Sequence, residues 1–288
     1  MVSRSHIFNE TKAFLEDAGV EDFRFDAMCI VEDCLGGIPL ARLLMEPRLP
    51  VPEDTAKRIR EMAQKRAEGV PLQYILGKWE FFGLPFCVGE GVLIPRPDTE
   101  VLAENVLDIC RRNGLTAPKI ADLCSGSGCI AVTLKKMLPQ ADVYAVELSD
   151  KALPYLRKNI QLNDADVHMI EGDVLDCDTA RKLEGLDIIV SNPPYLTAQD
   201  MRELSAEVHH EPELALFGGD DGLGFYREIT RIWRDSLRQG GFIAYEFGIG
   251  QHDAVSEILK INSFTNINLS RDAAGIIRTA SAQLNTEV

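Results

Sequence analysis

The chain reads as an α/β protein with a seven-stranded, largely parallel sheet covered by helices on both faces, preceded by a small all-helical domain. Three observations predict this. Apolar residues recur at helical spacing through the first 70 or so positions. An aromatic, β-branched stretch punctuated by glycines follows. From about residue 98 onward, near-continuous apolar runs alternate with helical patterns, as buried parallel strands and their crossover helices do.

The elements follow in order. Phe8, Phe14, Leu15 and Ala18 mark a first helix, and Gly19 suits its end. A second helix spans about 23–35 and stops at Gly36-Gly37; a third, short one covers 39–46. A fourth, "PEDTAKRIREMAQKRAEG", runs from Pro52 toward Gly69, with Pro52 and acids at the start, where the helix dipole favours them. "YILGKWEFFGLPFCVGEGVLIP", broken by Gly77, Gly83, Gly89 and Gly91, reads as a β-hairpin joining two domains. Strands are expected at 119–123, 142–147, 167–170, 186–191, 241–247, 264–269 and 276–283, and helices at 98–112, 128–138, 150–163, 178–183, 222–238 and 250–260. The organisation is thus a helical domain over 1–73, a hairpin hinge and entry segment over 74–97, and the sheet domain over 98–288. In such sheets ligands bind beyond the carboxyl ends of the strands, near the switch in strand order.

Composition narrows the class. The chain has 288 residues, 45% hydrophobic, enough for one large domain and a small partner. No apolar run approaches the ~18 residues of a membrane span, and "MVSRSHIFNETKAF" lacks a signal-peptide core, so a cytoplasmic protein without a membrane partner is expected. The seven cysteines include no CxxC pair, which fits reduced thiols, and the five histidines form no zinc pattern; no metal site is expected. A net charge of −15 argues against duplex nucleic acid as a partner. The basic cluster Lys57, Arg58, Arg60, Lys65 and Arg66 is interleaved with Glu53, Asp54, Glu61 and Glu68, as on a solvated helix face.

"KIADLCSGSGCIAVTLKK" is strand, glycine-bearing turn, helix. Gly126 and Gly128 let the backbone approach a ligand, and the free N–H groups of the helix start favour an anionic group. Gly126-x-Gly128-x-x-Ala131 also satisfies the dinucleotide pattern. Glu147, closing the next strand, can accept from both hydroxyls of a ribose. NAD and S-adenosylmethionine (AdoMet) both carry that ribose, so loop and acid together point to a cofactor without separating the two. The bland alternatives are glycines serving turn geometry alone and a solvated acid. Asp173, after the third strand, is where an adenine amine would lie, with Val174 to pack on the ring; a turn cap is the competing role.

"LDIIVSNPPYL" separates the cofactors. Two prolines after a buried strand make a stiff corner without backbone donors. It presents the Asn192 side-chain oxygen and the Pro193 carbonyl as acceptors, beside Pro194 and the Tyr195 ring. Two acceptors and a ring match a planar –NH₂ group, with its two donors and flat face. Fixed acceptors stabilise positive charge developing on nitrogen, and near ~3–3.5 Å from an electrophile that nitrogen can accept a methyl group without a strong base.

These features resemble the class I (Rossmann-like) AdoMet-dependent methyltransferases that act on planar nitrogens. Residues 69–102, "GVPLQYILGKWEFFGLPFCVGEGVLIPRPDTEVL", and 207–229, "EVHHEPELALFGGDDGLGFYREI", closely resemble the peptide chain release factor glutamine methyltransferases, the HemK/PrmC family. "LIPRPDTE" points to the release-factor enzymes rather than to those acting on ribosomal protein L3. The resemblance implies methyl transfer from AdoMet, leaving S-adenosyl-L-homocysteine, to the side-chain nitrogen of the glutamine in the Gly-Gly-Gln loop of class 1 release factors. It maps the cofactor onto Cys124, Ser125, Gly126, Ser127, Gly128, Glu147, Asp173, Val174 and Asn192. The reacting amide maps onto Asn192, Pro193, Pro194 and Tyr195, with Asn192, Pro193 and Tyr195 in the catalytic role. It implies strand order 3-2-1-4-5-7-6 with the seventh strand antiparallel, and a helical domain that docks the release factor.

Cys124 departs from the family, which usually has glycine there. The two retained glycines are expected to carry the tight geometry, and no base in the sequence activates Cys124 as a nucleophile. Arg96, Pro97 and Asp98 are expected to border the cofactor, with a helix cap as the other role for Asp98. Three other functions remain in view: an adenine-N6 nucleic-acid methyltransferase using the same corner, an NAD-dependent oxidoreductase that leaves the corner idle, and a helical adaptor on an inert sheet.

Overall fold

The computed structural model describes residues 2–285, which divide into two units. The smaller comprises residues 2–77 together with 205–210, the larger 78–204 together with 211–285. The hairpin therefore goes with the sheet unit, and a short piece of the chain beyond Tyr195 goes with the helices.

In the smaller unit a two-residue pair, β1 (Val2–Ser3) with β2 (Pro50–Val51), accompanies helices α1 (Arg4–Asp17), α2 (Phe23–Cys34), α3 (Leu40–Met45), α4 (Glu53–Ala67) and α5 (Leu72–Leu76). α4 carries Glu53 and Asp54 in its first turn and Lys65 and Arg66 in its last, the arrangement the helix dipole favours. Its buried face, Ala56, Ile59, Met62, Ala63 and Arg66, follows 3–4 spacing. Arg66 is inside for a specific reason: its Nε donates to buried Asp26 at 2.6 Å, and Nη2 donates to Glu207 of the 205–210 segment.

The larger unit opens with the hairpin β3 (Lys78–Phe81) and β4 (Leu84–Cys87). Its two turn residues, Phe82 and Gly83, both have positive φ, as a two-residue hairpin loop demands. α6 (Pro97–Asn113) begins with proline in its first turn and ends at Gly114, φ +63°, whose N–H caps the Cys110 carbonyl. It buries Leu102, Ala103, Val106, Ile109 and Cys110, about 1.5–3 kcal/mol for each large side chain. The remaining elements alternate: β5 (Lys119–Leu123), α7 (Cys129–Met137), β6 (Asp142–Glu147), α8 (Leu153–Leu162), β7 (Val167–Glu171), α9 (Cys177–Ala180), β8 (Leu186–Ser191), α10 (Gly224–Trp233), β9 (Leu237–Glu246), α11 (His252–Ile261), β10 (Phe264–Arg271) and β11 (Ile277–Leu284).

The sheet order is β7-β6-β5-β8-β9-β11-β10. Counted along these seven strands, that is 3-2-1-4-5-7-6. The first five run parallel, and β11 lies antiparallel between β9 and β10. Strand side chains alternate between two cores. Ile120, Val143, Ile188 and Val190 pack with α6, α7 and α8. Ala121, Val146, Ile189 and Ile243 pack with α10 and α11. Burial on both faces explains the continuous apolar runs.

Two expected helices end early. The one expected over 222–238 stops at Trp233, because a 3-10 turn, Arg234–Ser236, leads into β9 at Leu237, which pairs with Leu186. The one expected over 178–183 is the single turn α9.

Candidate active site

The order switches between β5 and β8, whose carboxyl ends carry the glycine loop and the proline corner. A cavity of about 230 Å³ opens there. It is lined by Cys124, Ser125, Gly126 and Ser127 from the loop, Glu147 at the end of β6, Asp173, Val174 and Leu175 after β7, and Asn192 and Pro194 from the corner. Gly128, Pro193 and Tyr195 do not line it.

In the loop three residues take the left-handed region: Cys124 at φ +61°, Gly126 at +54° and Gly128 at +79°. The expectation that the two glycines alone carry the tight geometry is therefore wrong. Cys124 adopts the strained conformation itself, at about 1–2 kcal/mol. Its side chain packs against the core on the α10 side, which holds it in place. Burial pushes its thiol well above the ordinary range, Glu147 adds to this, and a bond from Ser191 opposes it only partly. A thiol kept protonated is no nucleophile.

Glu147 is buried at the end of β6. Its Oε2 accepts from Gly126 N at 2.6 Å, and its Oε1 from Leu148 N at 2.9 Å and Ser149 N at 2.7 Å. Three of roughly four acceptor sites on the carboxylate are thus used to shape the loop. One is left for a ribose hydroxyl, fewer than the sequence reading gave it. Asp173 Oδ1 accepts from Leu175 N at 2.8 Å. Val174 is buried, its carbonyl held by Trp233 Nε1 at 2.8 Å, and Leu175 is left partly exposed at the cavity wall.

At the corner, Asn192 Nδ2 donates to Thr99 Oγ1 at 3.3 Å. No donor among the described residues reaches Asn192 Oδ1 or the Pro193 carbonyl, so both acceptors are open. Tyr195 is half-buried, and burial raises its hydroxyl to about 12. The corner is braced from behind. Gln251 Nε2 donates to Tyr195 O at 3.1 Å while its Oε1 accepts from Gly248 N. Leu196 N donates to Leu216 O and Gly218 N to Leu196 O, both at 2.8 Å.

Of the entry residues, Arg96 lines the cavity and pairs with buried Glu211, whose Oε2 also accepts from Ile94 N at 3.0 Å. Pro97 and Asp98 do not line it, and Asp98 does not cap α6; it pairs with Arg278 at 2.6 Å.

Sequence reading missed Thr99, Glu211 and two buried acids, Asp122 and Glu246. Burial raises Asp122 to about 8; Ala131 N donates to its Oδ2 at 3.1 Å, and Oδ1 has no partner among the described residues. The signal was present: an acid inside each of the apolar strands "KIADL" and "FIAYE".

Comparison with known proteins bears on the fold and the family. The chain is similar in fold to a methyltransferase from Pyrococcus furiosus (16% identity, TM-score 0.53, covering 71% of this chain and 91% of that one). The catalytic domain of hMettl16 is also similar (17%, TM-score 0.54, covering 82% and 83%). Residues 97–211 match the methyltransferase small domain, and residues 6–77 match the PrmC N-terminal domain. Fold and domain matches define a methyltransferase, a class that implies AdoMet use. Among curated proteins, the release factor glutamine methyltransferase of Geobacter sulfurreducens is 36% identical over 96% of this chain and 95% of its own length. Those of Flavobacterium psychrophilum (35%, 94% and 94%) and Fusobacterium nucleatum (37%, 96% and 78%) are similar to the same degree. The chain belongs to the release factor glutamine methyltransferase family.

Proposed function

We propose that this chain transfers a methyl group from AdoMet to the side-chain amide nitrogen of the glutamine in the Gly-Gly-Gln loop of class 1 release factors, in the cytoplasm. The observation that carries this is the pair of open acceptors, Asn192 Oδ1 and the Pro193 carbonyl, on a rigid corner beside the cavity. Both amide hydrogens of a glutamine side chain would be held there, leaving the nitrogen lone pair aimed out of plane. Developing positive charge on nitrogen would meet two preorganised oxygens, and its proton would leave to water.

The residues present fit the cofactor. Glu147 would take a ribose hydroxyl on its remaining acceptor site, Asp173 an adenine amine, and Val174 and Leu175 the ring face. The main chain of Ser125 to Gly128 would pass close to the carboxylate-bearing end. AdoMet, when bound, supplies an electrophilic methyl group on a sulfonium. Cytoplasmic residence is supported by seven cysteines that are all free thiols. Among the described residues no helix is long and apolar enough to cross a membrane. The relatives' activity supports release factors as the substrate class, and the acidic net charge disfavours nucleic acid.

The test supplies labelled AdoMet with a class 1 release factor, the same factor with its loop glutamine replaced, and duplex DNA or RNA. Label is expected in the first alone. Label persisting on the Gln-replaced factor, or entering nucleic acid but not the factor, overturns the proposal.

A further inference from the structure

The corner needs one particular end of the Asn192 amide to face the substrate. Rotated by half a turn, Asn192 would present a donor to a donor and repel the amide it should hold. A threonine hydroxyl cannot decide this alone, because it both donates and accepts.

The deciding group lies one strand over. Parallel register pairs Ser191 with Tyr245, which sets Asn192 beside Glu246 at the ends of β8 and β9. Glu246 is 3% exposed, and its Oε2 is buried without a partner among the described residues. The side chains of Thr99 and Asn192, themselves joined at 3.3 Å, neighbour its carboxyl group and both favour its charged form. Its other neighbours are committed elsewhere. Arg278, on β11, gives its guanidinium to Asp98 at 2.6 Å and to Asp272 at 3.3 Å. Tyr226, on α10, donates to the Glu246 main-chain carbonyl at 2.8 Å. Tyr195 and Cys129 face it as neutral groups, both pushed up by burial and by Glu246 itself.

We propose, building on the methyl-transfer reading above, that Glu246 is a positioning residue whose carboxylate sets the direction of the hydrogen-bond chain Asn192 Nδ2 to Thr99 Oγ1 to Glu246, and so keeps Asn192 Oδ1 facing the substrate. An ionised carboxylate only accepts. It takes the Thr99 hydroxyl hydrogen, which leaves the Thr99 oxygen to accept from Asn192 Nδ2. Protonated, the acid becomes a donor and the chain can reverse. Burial raises Glu246 to about 7, with Thr99, Arg278 and Asn192 pulling it down and Asp98 pushing it up. The orientation is therefore enforced above that pH and released below it.

The test compares wild type, Glu246→Ala, Glu246→Gln, Thr99→Val and Thr99→Ser in methyl transfer to a class 1 release factor, with AdoMet affinity measured separately by calorimetry. Wild-type kcat is expected to rise through about pH 7. Glu246→Ala and Thr99→Val should lower kcat about 10–100-fold, with KM for the factor and AdoMet affinity within about 2-fold of wild type. Thr99→Ser, which keeps the hydroxyl, should restore most of the rate, and Glu246→Gln should flatten the pH profile. Wild-type kcat in Glu246→Ala and Thr99→Val, or the same pH inflection in Glu246→Gln, overturns the positioning role while leaving the methyl-transfer reading intact. A kcat loss matched by an equal loss of AdoMet affinity makes Glu246 merely structural and overturns it too. A wild-type protein that methylates no release factor overturns the reading and, with it, the role that rests on it.

Discussion

Gly218 and Gly219 are adjacent and neither lines the cavity, yet the structure assigns them opposite consequences when replaced by alanine. A Cβ on Gly218 would lie 2.6 Å from the Pro194 carbonyl oxygen and 2.7 Å from Tyr195 Cα, both main-chain atoms of the proline corner. Ordinary contacts between such atoms fall near ~3.5 Å, so the corner would have to retreat by about 0.8 Å. Gly218 does not have positive φ, so the perturbation is steric and carries no backbone strain. A displacement of about 1 Å in a positioning element can cost ~10²-fold, so Gly218→Ala should lower kcat roughly 10–100-fold. AdoMet affinity should change little, because the loop and Glu147 are untouched. A Cβ on Gly219 meets nothing within 4 Å, but its φ is +95°. Gly219→Ala should therefore keep kcat while losing about 1–2 kcal/mol of stability, a few degrees in Tm. Both variants go through the labelled-methyl assay and a thermal melt. Equal kcat in the two would refute the argument that the glycine-rich segment braces the corner.

Further perturbations have equally definite expectations. Asn192→Ala should lower turnover by well over ~10²-fold with AdoMet binding less affected, read by steady-state kinetics and calorimetry; near-normal turnover would contradict its role. Asp122, raised to about 8, and Glu246, raised to about 7, keep their protons in the fold where the unfolded chain has lost them. The stability from each is fully present below its ordinary carboxyl range and lost as pH rises through its folded value. Tm should fall between about pH 4 and about pH 8, less steeply in Asp122→Asn; parallel curves would be the wrong result. Arg66→Met leaves Asp26, 3% exposed and already raised by burial, without its cation, at about 3–5 kcal/mol. The pair Arg66→Met with Asp26→Leu should recover most of that in urea denaturation; a double variant as unstable as the single one would show that the ion pair is not the cause.

What the sequence made legible was local. The glycine loop, Glu147 and the proline corner each announce themselves within a few residues, because backbone geometry and strand ends have short-range signatures. The sheet order came from family resemblance, since no periodicity encodes which strands neighbour. The grouping of Asn192, Thr99 and Glu246 was invisible because its members lie far apart in sequence: strand register sets Asn192 beside Glu246, and the packing of α6 brings Thr99 to Asn192. Glu147 was overread for a related reason. A carboxylate at a strand end looks free in sequence, whereas here three main-chain N–H groups already occupy it. Cys124 shows tertiary packing overriding local preference: a residue that disfavours positive φ is held there by the core behind it.

The central claim is that the corner holds a planar amide nitrogen for methylation. Fragment mass spectrometry of a class 1 release factor, after incubation with this protein and AdoMet, tests it most directly. The account predicts one added methyl group on the side-chain nitrogen of the Gly-Gly-Gln glutamine and none when Asn192 is alanine. A methyl group on any other residue, or full modification by the Asn192→Ala variant, would contradict it.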